Sequence, residues 1–477
     1  MTYKLPNTVN KNRIFILQKS ELEKRLDPYY YYEIMNNKIV FSCVSSKLSK
    51  LTKTYSGGTP SKEKQEYWNG NILWASPKDM KEFYLSDTED KITESGLKNS
   101  ATTLAPQGSL VIVFRSGILQ HTLPVAITTK DTAINQDLKV IIPNNDILPE
   151  FLAVYFRVFQ NRIIPRIVKH STTVQSINQE EFDSLPIPVP DKQIQKQIVD
   201  IHKKAIDHKA QAEAQAEALL ASIDDYLLGE LGITLPDKTS NTIKDRIFIT
   251  NFKKITQQRF DPTFHRLNYE KFRNSIMISP FKAKKLKDIV TYLDYGLMPT
   301  QDYAFSENDG LPMIRVTNIT KSGYINMEKT EFIKFDTPKL YDKLVQENDI
   351  LMVQCGNTTG KCAMVTKEFV GYTFGSFSFG IRSDPEIISQ YFLFYLLNSQ
   401  IVQEQLNRSI TITSVRPNTS KPEVENFLIP IPPLSKQQEI SERITAIRNQ
   451  AQELRKSADS AMKKASAEIE MILLGNE

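Results

Sequence analysis

Pro430-Ile-Pro-Pro433 and the long stretch behind it, from Ile440 to Ile472, decide the fold of this chain. The same arrangement occurs earlier, where Pro186-Ile-Pro188 is followed by a similar stretch from Ile194 to Tyr226. Prolines cannot continue a helix, so each proline run separates a globular region from a new element. The order of elements is therefore written twice along the chain.

Three shorter motifs recur in the same order. Arg13-Ile-Phe-Ile16 returns as Arg246-Ile-Phe-Ile249, Arg25-Leu-Asp-Pro28 as Arg259-Phe-Asp-Pro262, and Leu227-Leu-Gly229 as Leu473-Leu-Gly475. A duplicated chain can fold into two similar halves related by a pseudo-two-fold axis, which suits a ligand of the same symmetry. Duplex DNA is such a ligand.

Each long stretch predicts one helix with a narrow apolar stripe. Its apolar residues follow a 4-3 spacing, which is typical of a helix that buries one seam against another helix. The first seam is Ile194, Ile198, Ile201, Ala205, His208, Ala212, Gln215, Leu219 and Tyr226, and the second is Ile440, Ile444, Ile447, Ala451, Leu454, Ala458, Ala461, Ala465, Ile469 and Ile472. We expect the two helices to pack antiparallel against each other. The alternative is that each helix docks on its own globular region.

The ends of both helices carry capping signals. Asp191 is placed to cap the first helix, and Ser435 stands at the capping-box spacing from Gln438 in the second. Gly229 and Gly475 are expected to end the helices in the left-handed conformation. His208 falls on the predicted seam, where a histidine is packed or pH-sensitive.

The two globular regions, 41–185 and 281–428, are predicted to be rich in strands. Ser109–Phe114 and Asp349–Val353 are predicted strands, and Pro149–Val158 and Ile387–Asn398 are predicted short helices. The predicted organisation is a first domain at 1–190, a first long helix at 191–229, a linker at 230–245, a second domain at 246–433 and a second long helix at 434–475. The predicted fold class is α+β: two similar mixed α/β domains separated by a pair of long antiparallel coiled-coil helices, with a pseudo-two-fold internal repeat.

Composition bounds the class of protein. A chain of 477 residues is too long to fold around a single hydrophobic core. Its content of 40% hydrophobic and 24% charged residues is ordinary for a globular protein. No apolar run reaches the roughly 20 residues that cross a bilayer. Three cysteines indicate a reducing compartment, so we expect a cytoplasmic protein. The net charge of +5 is compatible with nucleic-acid binding.

Several local strings resemble catalytic motifs without completing them. Gly356-Asn-Thr-Thr-Gly360-Lys361 is one residue shorter than a phosphate-binding loop, and Cys362 stands where a magnesium-binding hydroxyl is needed. Asp27-Pro28-Tyr29-Tyr30 lacks the second proline of the amino-methyltransferase loop. Cys355 and Cys362 lack a second pair of ligands, which argues against zinc. We therefore expect no catalytic, metal or cofactor site in this chain.

The duplicated motifs resemble the DNA-specificity (S) subunit of type I restriction-modification systems along nearly the whole chain. In the first half the resemblance rests on Ser56-Gly-Gly-Thr-Pro60, Tyr67-Trp-Asn-Gly70, Lys78-Asp-Met80, Arg115-Ser-Gly-Ile118 and Ile134-Asn-Gln-Asp137. In the second half it rests on Gly310-Leu-Pro-Met-Ile-Arg315, Asn348-Asp-Ile-Leu-Met352 and Leu428-Ile-Pro-Ile-Pro-Pro-Leu434. Pro190-Asp-Lys-Gln193 departs from the form Pro433-Leu-Ser-Lys-Gln437 of the second copy, which leaves the register of the first helix open.

The resemblance implies a non-catalytic subunit in which each globular domain is a target-recognition domain for double-stranded DNA. It further implies docking of two copies of an adenine methyltransferase subunit, on the helix faces and on segments 1–40 and 242–280, and a restriction/translocase subunit beside them. S-adenosylmethionine, ATP and Mg²⁺ would then be bound by those partners. The helix pair would act as a spacer: Ile194 to Tyr226 spans about 48 Å, or roughly 14 base pairs.

Base contact requires amide, guanidinium or ammonium groups on loops that enter a groove. The candidate DNA-binding residues of the first domain are Arg115, Gln120, His121, Asn135, Gln136, Lys169, His170 and Gln175. Those of the second domain are Arg315, Asn318, Asn357, Lys361, Arg408, Arg416 and Asn418. Two other hypotheses stay open at this point: a scaffold that does not read DNA, and a self-contained DNA methyltransferase or nuclease.

Overall fold

The computed structural model consists of two compact units. Unit 1 comprises residues 1–213 and 455–477, and unit 2 comprises residues 214–454. The structure describes residues 6, 9, 14–17, 19, 22, 31–32, 39–169, 174–236, 242–243, 247–249, 251–252, 265, 267–298, 302–320, 322–410 and 417–475. Each unit contains one globular domain and a part of each long helix.

In both halves a helical hairpin, a short helix and a long helix follow one another along the chain. Before and within the first long helix the described helices are α1 Leu48–Leu51, α2 Glu94–Lys98, α3 Pro149–Val158, α4 Gln160–Ile167, α5 Gln179–Asp183 and α6 Lys192–Glu230. After it they are α7 Leu267–Met277, α8 Gln390–Asn398, α9 Gln400–Ser409, α10 Lys421–Glu425 and α11 Leu434–Leu474. The α3–α4 and α8–α9 hairpins contain the two predicted short helices, which are confirmed.

Unit 1 contains two mixed sheets and two small ribbons. Its strands are β1 Ser45–Lys47, β2 Thr52–Ser56, β3 Trp68–Ala75, β4 Tyr84–Leu85, β5 Asp90–Ile92, β6 Thr103–Ala105, β7 Leu110–Val113, β8 Val125–Thr128, β9 Thr132–Ile134, β10 Leu138–Pro143, β11 Val168–Lys169, β12 Ser176–Ile177 and β13 Pro186–Pro188. The sheets have the orders β2-β10-β7-β8-β4 and β5-β3-β9-β6, and the ribbons pair β1 with β13 and β11 with β12. Strand β7 confirms the predicted strand there.

Unit 2 repeats this plan. Its strands are β14 Ala283–Lys285, β15 Val290–Tyr295, β16 Tyr303–Ala304, β17 Gly310–Ile314, β18 Glu331–Lys334, β19 Ile350–Val353, β20 Cys362–Met364, β21 Thr373–Phe374, β22 Ser378–Ser383 and β23 Leu428–Pro430. The two sheets have the orders β15-β22-β19-β20 and β16-β18-β17-β21, and β14 pairs with β23 as β1 does with β13. The predicted duplication and the α+β class are therefore confirmed.

The long helices pack in opposite directions within each unit. In unit 1, Ile198 near the start of α6 shares the hydrophobic core with Ile469 and Leu473 near the end of α11. In unit 2, the end of α6 shares a core with Ile440 and Ile444 at the start of α11. Both cores also contain the strands and the helical hairpin of the globular domain. Antiparallel packing is thus confirmed, and it occurs together with docking on the domains.

Two of the predicted helix caps need correction. Asp191 caps α6 as expected, since its Oδ1 accepts from the Ile194 amide (2.9 Å). Ser435 lies inside α11, where the amide of Gln437 donates to the Pro433 carbonyl instead (3.0 Å). Gly475 has the predicted positive φ, whereas Gly229 is helical and the left-handed residue is Gly232 at φ 61°. The helix continues past Gly229 because burial of Leu231 extends the apolar face by one turn.

Each long helix begins with a buried glutamine that binds the hairpin helix of its own domain. Gln195 accepts from the Leu148 amide through Oε1 (2.9 Å) and donates through Nε2 to the carbonyls of Asp146 (2.8 Å) and Pro190 (2.9 Å). Gln437 repeats this: it accepts from the Ser389 amide (2.8 Å) and donates to two backbone carbonyls. Both side chains are fully buried.

This glutamine changes the seam of the first helix. Ile198, Ala205 and Ala212 are buried as predicted, but the alternate row consists of Gln195, His202 and Ala216. The predicted row of Ile194, Ile201, His208 and Gln215 is therefore one residue out of register. His208 is exposed and His202 is buried, so the expectation for His208 is wrong.

Two glycines in matching places allow a loop to pass directly over a strand. A Cβ atom on Gly57 would lie 2.0 Å from the carbonyl oxygen of Ile134, and one on Gly296 would lie 2.3 Å from that of Phe374. No side chain fits between these backbones. In unit 1 the close approach holds the loop after β2 beside the turn before β10. In unit 2 it holds the loop after β15 beside the turn before β22.

Gly57→Ala is expected to lower the free energy of unfolding of unit 1 by about 2 kcal/mol, because the backbone must move to admit the methyl group. Urea denaturation of the full chain measures this. Gly117→Ala is the matched control, since a Cβ there meets nothing within 4 Å. Equal stability of the two variants would contradict the close-approach argument.

None of the helices in the described part of the chain combines the length and apolar character that crossing a bilayer requires.

The motifs at Arg25–Pro28, Asp27–Tyr30 and Arg259–Pro262 lie outside the described residues. The same holds for most of segments 1–40 and 242–280, and for the candidates His170 and Arg416.

Candidate nucleic-acid interface

Loop segments of unit 1 meet at the turn that precedes β10. The amides of Phe114 and Arg115 donate to the Asp137 carbonyl (2.7 and 3.2 Å), and the amide of Ser116 donates to the Gln175 carbonyl (3.0 Å). Backbone bonds thus fix the loop after β7 to the loops before β10 and β12. We call the segments that meet here, residues 57–59, 114–116, 135–137 and 175–176, platform 1.

Arg115 is the one cation among the residues that define platform 1. Its Nε lies 2.9 Å from Oδ1 of Asp137, and its side chain is 60% exposed whereas that of Asp137 is 21% exposed. The carboxylate forms an ion pair with the guanidinium without covering it. Such a group is pre-organised to donate hydrogen bonds to an acceptor outside the protein.

Polar side chains extend platform 1 beyond Arg115. Gln136 is exposed and accepts a hydrogen bond from the Thr59 hydroxyl. Gln120 and His121 are exposed at the end of a single turn that Ser116 caps. Lys169 is exposed on the β11–β12 ribbon. These candidates are brought to one region by the hydrogen bonds of the platform and by the β11–β12 pairing.

Three candidate amides are buried and do not present a free side chain to a groove. Asn135 is 5% exposed, and its Oδ1 accepts from the Asp137 amide (3.0 Å). Asn318 is 3% exposed and donates to the carbonyls of Asn326 (2.8 Å) and Lys329 (3.2 Å). Gln175 is 8% exposed. The side chains of Asn135 and Asn318 thus bond to backbone groups of their own loops, and DNA contact by any of the three residues stays a prediction.

The same backbone arrangement occurs in unit 2. The amide of Gln354 donates to the Phe377 carbonyl (2.7 Å), and the amide of Gly356 donates to the Pro417 carbonyl (3.1 Å). Isolated bridges join Arg115 to Ser176 in one unit and Cys355 to Asn418 in the other. We call residues 296–298, 354–356, 375–377 and 417–418 platform 2. Thr59, Arg115, Gln136, Asp137 and Ser176 of platform 1 correspond to Met298, Cys355, Ser376, Phe377 and Asn418 of platform 2.

The candidates of unit 2 divide between platform 2 and other places. Asn418 lies on platform 2 and is half-buried. Asn357 is exposed and directly follows the platform segment 354–356. Lys361 precedes β20, and its charge acts on Asp224 of α6. Arg408 is half-buried in α9, where burial first and then the charge of Arg273 lower the pKa of its guanidinium. Lys361 and Arg408 therefore lie within the domain's own packing rather than on the platform.

Arg315 begins a turn whose counterpart in unit 1 begins at Ser76. The Arg315 amide donates to Oδ1 of Asn318 (2.9 Å), as the Ser76 amide does to Oδ2 of Asp79 (2.9 Å). The Arg315 side chain forms an ion pair with Glu331 (Nη1–Oε1 3.0 Å) and is 31% exposed. Most of this cation is thus engaged within unit 2.

The loop that resembles a phosphate-binding loop has the wrong element behind it. Strand β20 follows Lys361, whereas phosphate binding at such a loop uses the amino end of a helix. Cys362 is fully buried in that strand, and burial raises the pKa of its thiol well above the usual range. Within the described ranges, no group of three metal-ligating side chains comes together.

Sequence reasoning missed Thr59, Met298, Cys355, Ser376 and Phe377 because they are not typical base-reading residues. Their position became visible only from the strand pairing. The glycines at 57 and 296, where the two loops approach a neighbouring backbone closely, were the available signal.

The platforms lie within two regions that match one known family. The family model described as "Type I restriction modification DNA specificity domain" matches residues 44–220 and 278–460. The chain is 38% identical over 187 residues to the EcoR124I/EcoR124II specificity subunit of Escherichia coli; this match covers 39% of the chain and only 46% of that relative. It is 23% identical over 403 residues to the MjaIX specificity subunit of Methanocaldococcus jannaschii, covering 81% and 82% of the two chains.

A solved structure supports the same fold. A chain from a study of complex assembly and conformational transition of the type I R-M system aligns with a TM-score of 0.50 at 14% identity. The alignment covers 91% of this chain and 97% of that one. Because both halves match the family model over most of their length, the chain belongs to the type I restriction-modification DNA-specificity family and carries two copies of its domain.

Proposed function

We propose that this chain is the sequence-specific DNA-recognition subunit of a type I restriction-modification complex, in which each unit reads one half of a bipartite target. The observation that carries the proposal is the duplicated platform: two domains of one family present the same four loop segments with different side chains. One backbone frame with two sets of side chains is what reading two different half-sites requires.

The proposal includes partners that supply all chemistry. A DNA adenine methyltransferase subunit, in two copies because the chain is duplicated, would dock on the chain, and a restriction/translocase subunit would join through it. S-adenosylmethionine, ATP and Mg²⁺ would be bound by these partners, and the assembly would act in the cytoplasm. Family membership and the two-fold repetition of the described elements support this arrangement.

In this function Arg115 and its neighbours would contact DNA directly. A guanidinium held by a carboxylate can donate to the acceptors O6 and N7 of guanine, and Gln136 and Gln120 can contact adenine or phosphate oxygens. The net charge of +5 is modest for a chain of 477 residues. Affinity would therefore depend on local cations such as Arg115 of platform 1 rather than on an overall basic surface.

The proposed function is tested by methylation mapping. The chain is co-expressed with the methyltransferase subunit of its own system in a host without adenine methylation, and modified adenines are mapped across the genome. We expect a single bipartite motif. Methylation without a motif, or the same methylation when this chain is omitted, would contradict the proposal. A random-pool duplex titration separately tests the scaffold alternative, which predicts no sequence preference.

Arg115→Ala is expected to weaken binding of the complex to its cognate duplex by about 1–3 kcal/mol and to relax base preference in one half-site only. Fluorescence anisotropy at one fixed salt concentration measures affinity for the cognate duplex and for single-base variants. Lys50→Ala is the control, because Lys50 is an exposed cation of α1 outside platform 1. Uniform weakening across all sequences would assign Arg115 to phosphate rather than to a base.

A further inference from the structure

Platform 2 carries apolar side chains where platform 1 carries polar ones. Phe377 occupies the place of Asp137, and Met298 occupies the place of Thr59. Phe377 is 53% exposed and Met298 is 69% exposed. Both belong to segments whose backbones are joined, since the Ser376 amide donates to the Leu297 carbonyl (2.8 Å).

The remaining groups at this place are uncharged. Cys355 stands where Arg115 stands in the other unit, and Ser376 and Asn418 are the neutral counterparts of Gln136 and Ser176. The arginine–aspartate pair of platform 1 therefore has no ionic counterpart at the equivalent positions of platform 2. Among the residues that define platform 2, a ligand therefore meets uncharged and partly apolar side chains.

An exposed phenylalanine and an exposed methionine favour contact with an apolar group. In the major groove of DNA the C5-methyl group of thymine is the apolar group that base edges present, and phenylalanine is among the side chains that contact it. Guanine, in contrast, presents acceptors that suit a guanidinium such as Arg115. The apolar side chains of platform 2 thus suit the methyl group of thymine, whereas Arg115 of platform 1 suits the acceptors of guanine.

Resting on the proposed function, we infer that Phe377 and Met298 are specificity-determining residues, which read a thymine methyl group in the half-site of unit 2. The asymmetry of the target then follows from the side chains at corresponding platform positions. Cys355 and Asn418 border the same contact and complete the recognition of that base pair.

The test uses deoxyuridine, which lacks only the methyl group of thymidine. Once the methylated motif is known, each thymine of the two half-sites is replaced singly by deoxyuridine in a synthetic duplex. Binding by the complex of this chain with its methyltransferase is then measured. We expect one or more positions in one half-site at which the wild-type complex loses affinity about fourfold per methyl group.

Phe377→Ala is expected to lower affinity for the thymine duplex and to abolish the difference between thymine and uracil at that position. Met298→Ala provides a second, independent variant with the same expected direction. Phe335→Ala is the matched control, because Phe335 is another exposed phenylalanine of unit 2, outside platform 2. This control should keep the full thymine preference, and retained preference in the other half-site shows that each variant is folded.

The outcomes separate the two proposals. A wild-type complex with no sequence preference would overturn the proposed function itself. A sequence-specific complex that does not distinguish thymine from uracil would overturn only the inference. So would methyl discrimination that survives in both Phe377→Ala and Met298→Ala, or that is lost equally in Phe335→Ala.

Discussion

Gln437→Leu is expected to lower the free energy of unfolding of unit 2 by about 3 kcal/mol, which is a large fraction of the stability of a typical domain. The side chain is fully buried and makes three hydrogen bonds to backbone groups. Leucine has a similar volume but leaves the Ser389 amide and the carbonyls of Ile387 and Pro432 without this partner. The loss is the cost of burying those groups unpaired rather than a loss of apolar contact.

The measurement is urea denaturation of the full chain combined with hydrogen exchange of α8 and of residues 434–454 of α11, which report on unit 2. Gln438→Leu is the control, since Gln438 lies next in the same helix and is exposed, with its side chain hydrogen-bonded to Glu442. The matching variant Gln195→Leu should destabilise unit 1 by a similar amount. If Gln437→Leu and Gln438→Leu were equally stable, the buried glutamine would not hold the helix to the domain.

The polar residues in the buried row of α6 explain why the sequence predicted one long helix better than the other. In α11 the apolar residues Ile440, Ile444 and Ile447 lie on the buried face beside Gln437 and Ser441, and the predicted burial of these three isoleucines is confirmed. In α6 the row that faces the domain contains Gln195 and His202, two polar residues that a hydrophobic pattern excludes. The hydrophobic periodicity therefore pointed to the neighbouring row, which includes Ile194 and Ile201. The sequence predicted the helix correctly but not which of its faces is buried.

The recognition residues were harder to predict for a related reason. Residue type alone made Asn135 and Asn318 candidates, because an amide can bind a base or a backbone group equally well. Burial decides between the two, and burial depends on the tertiary packing of the loops. Phe377 was not among the candidates, because an aromatic side chain is not a typical base-reading residue. Only the strand register shows that it takes the place of Asp137.

Lowering the pH from 7.5 to 5 is expected to destabilise unit 1 through His202. This side chain is 2% exposed, its ring lies 5.2 Å from that of Phe83, and within the described residues neither of its ring nitrogens has a hydrogen-bond partner. Burial, followed by the charge of Arg157, lowers its pKa to about 4. Arg157 in turn is near Glu82 and lies over the same Phe83 ring, so a cation already occupies this environment.

The sign follows from proton uptake by the unfolded chain. An exposed histidine has a pKa of about 6.5, so the unfolded state binds a proton below that pH. In the folded state His202 stays neutral until the pH falls to about 4, so protonation favours the unfolded state between these two values. The histidine's contribution to the free energy of unfolding is therefore complete above pH 6.5. It is lost as the pH falls, by about 1.4 kcal/mol per pH unit and by about 3 kcal/mol in all.

His202→Leu removes this titration and replaces an unpaired polar ring by an apolar side chain. Relative to wild type, its stability should therefore rise by about 2 kcal/mol between pH 7.5 and pH 5, as urea denaturation at the two pH values will show. His208→Leu, an exposed histidine on the same helix, should leave the pH dependence unchanged. Parallel pH profiles for His202→Leu and wild type would mean that His202 gains a proton or a partner in the folded protein. The other titrating carboxyl groups cancel in this comparison, because they are common to both chains.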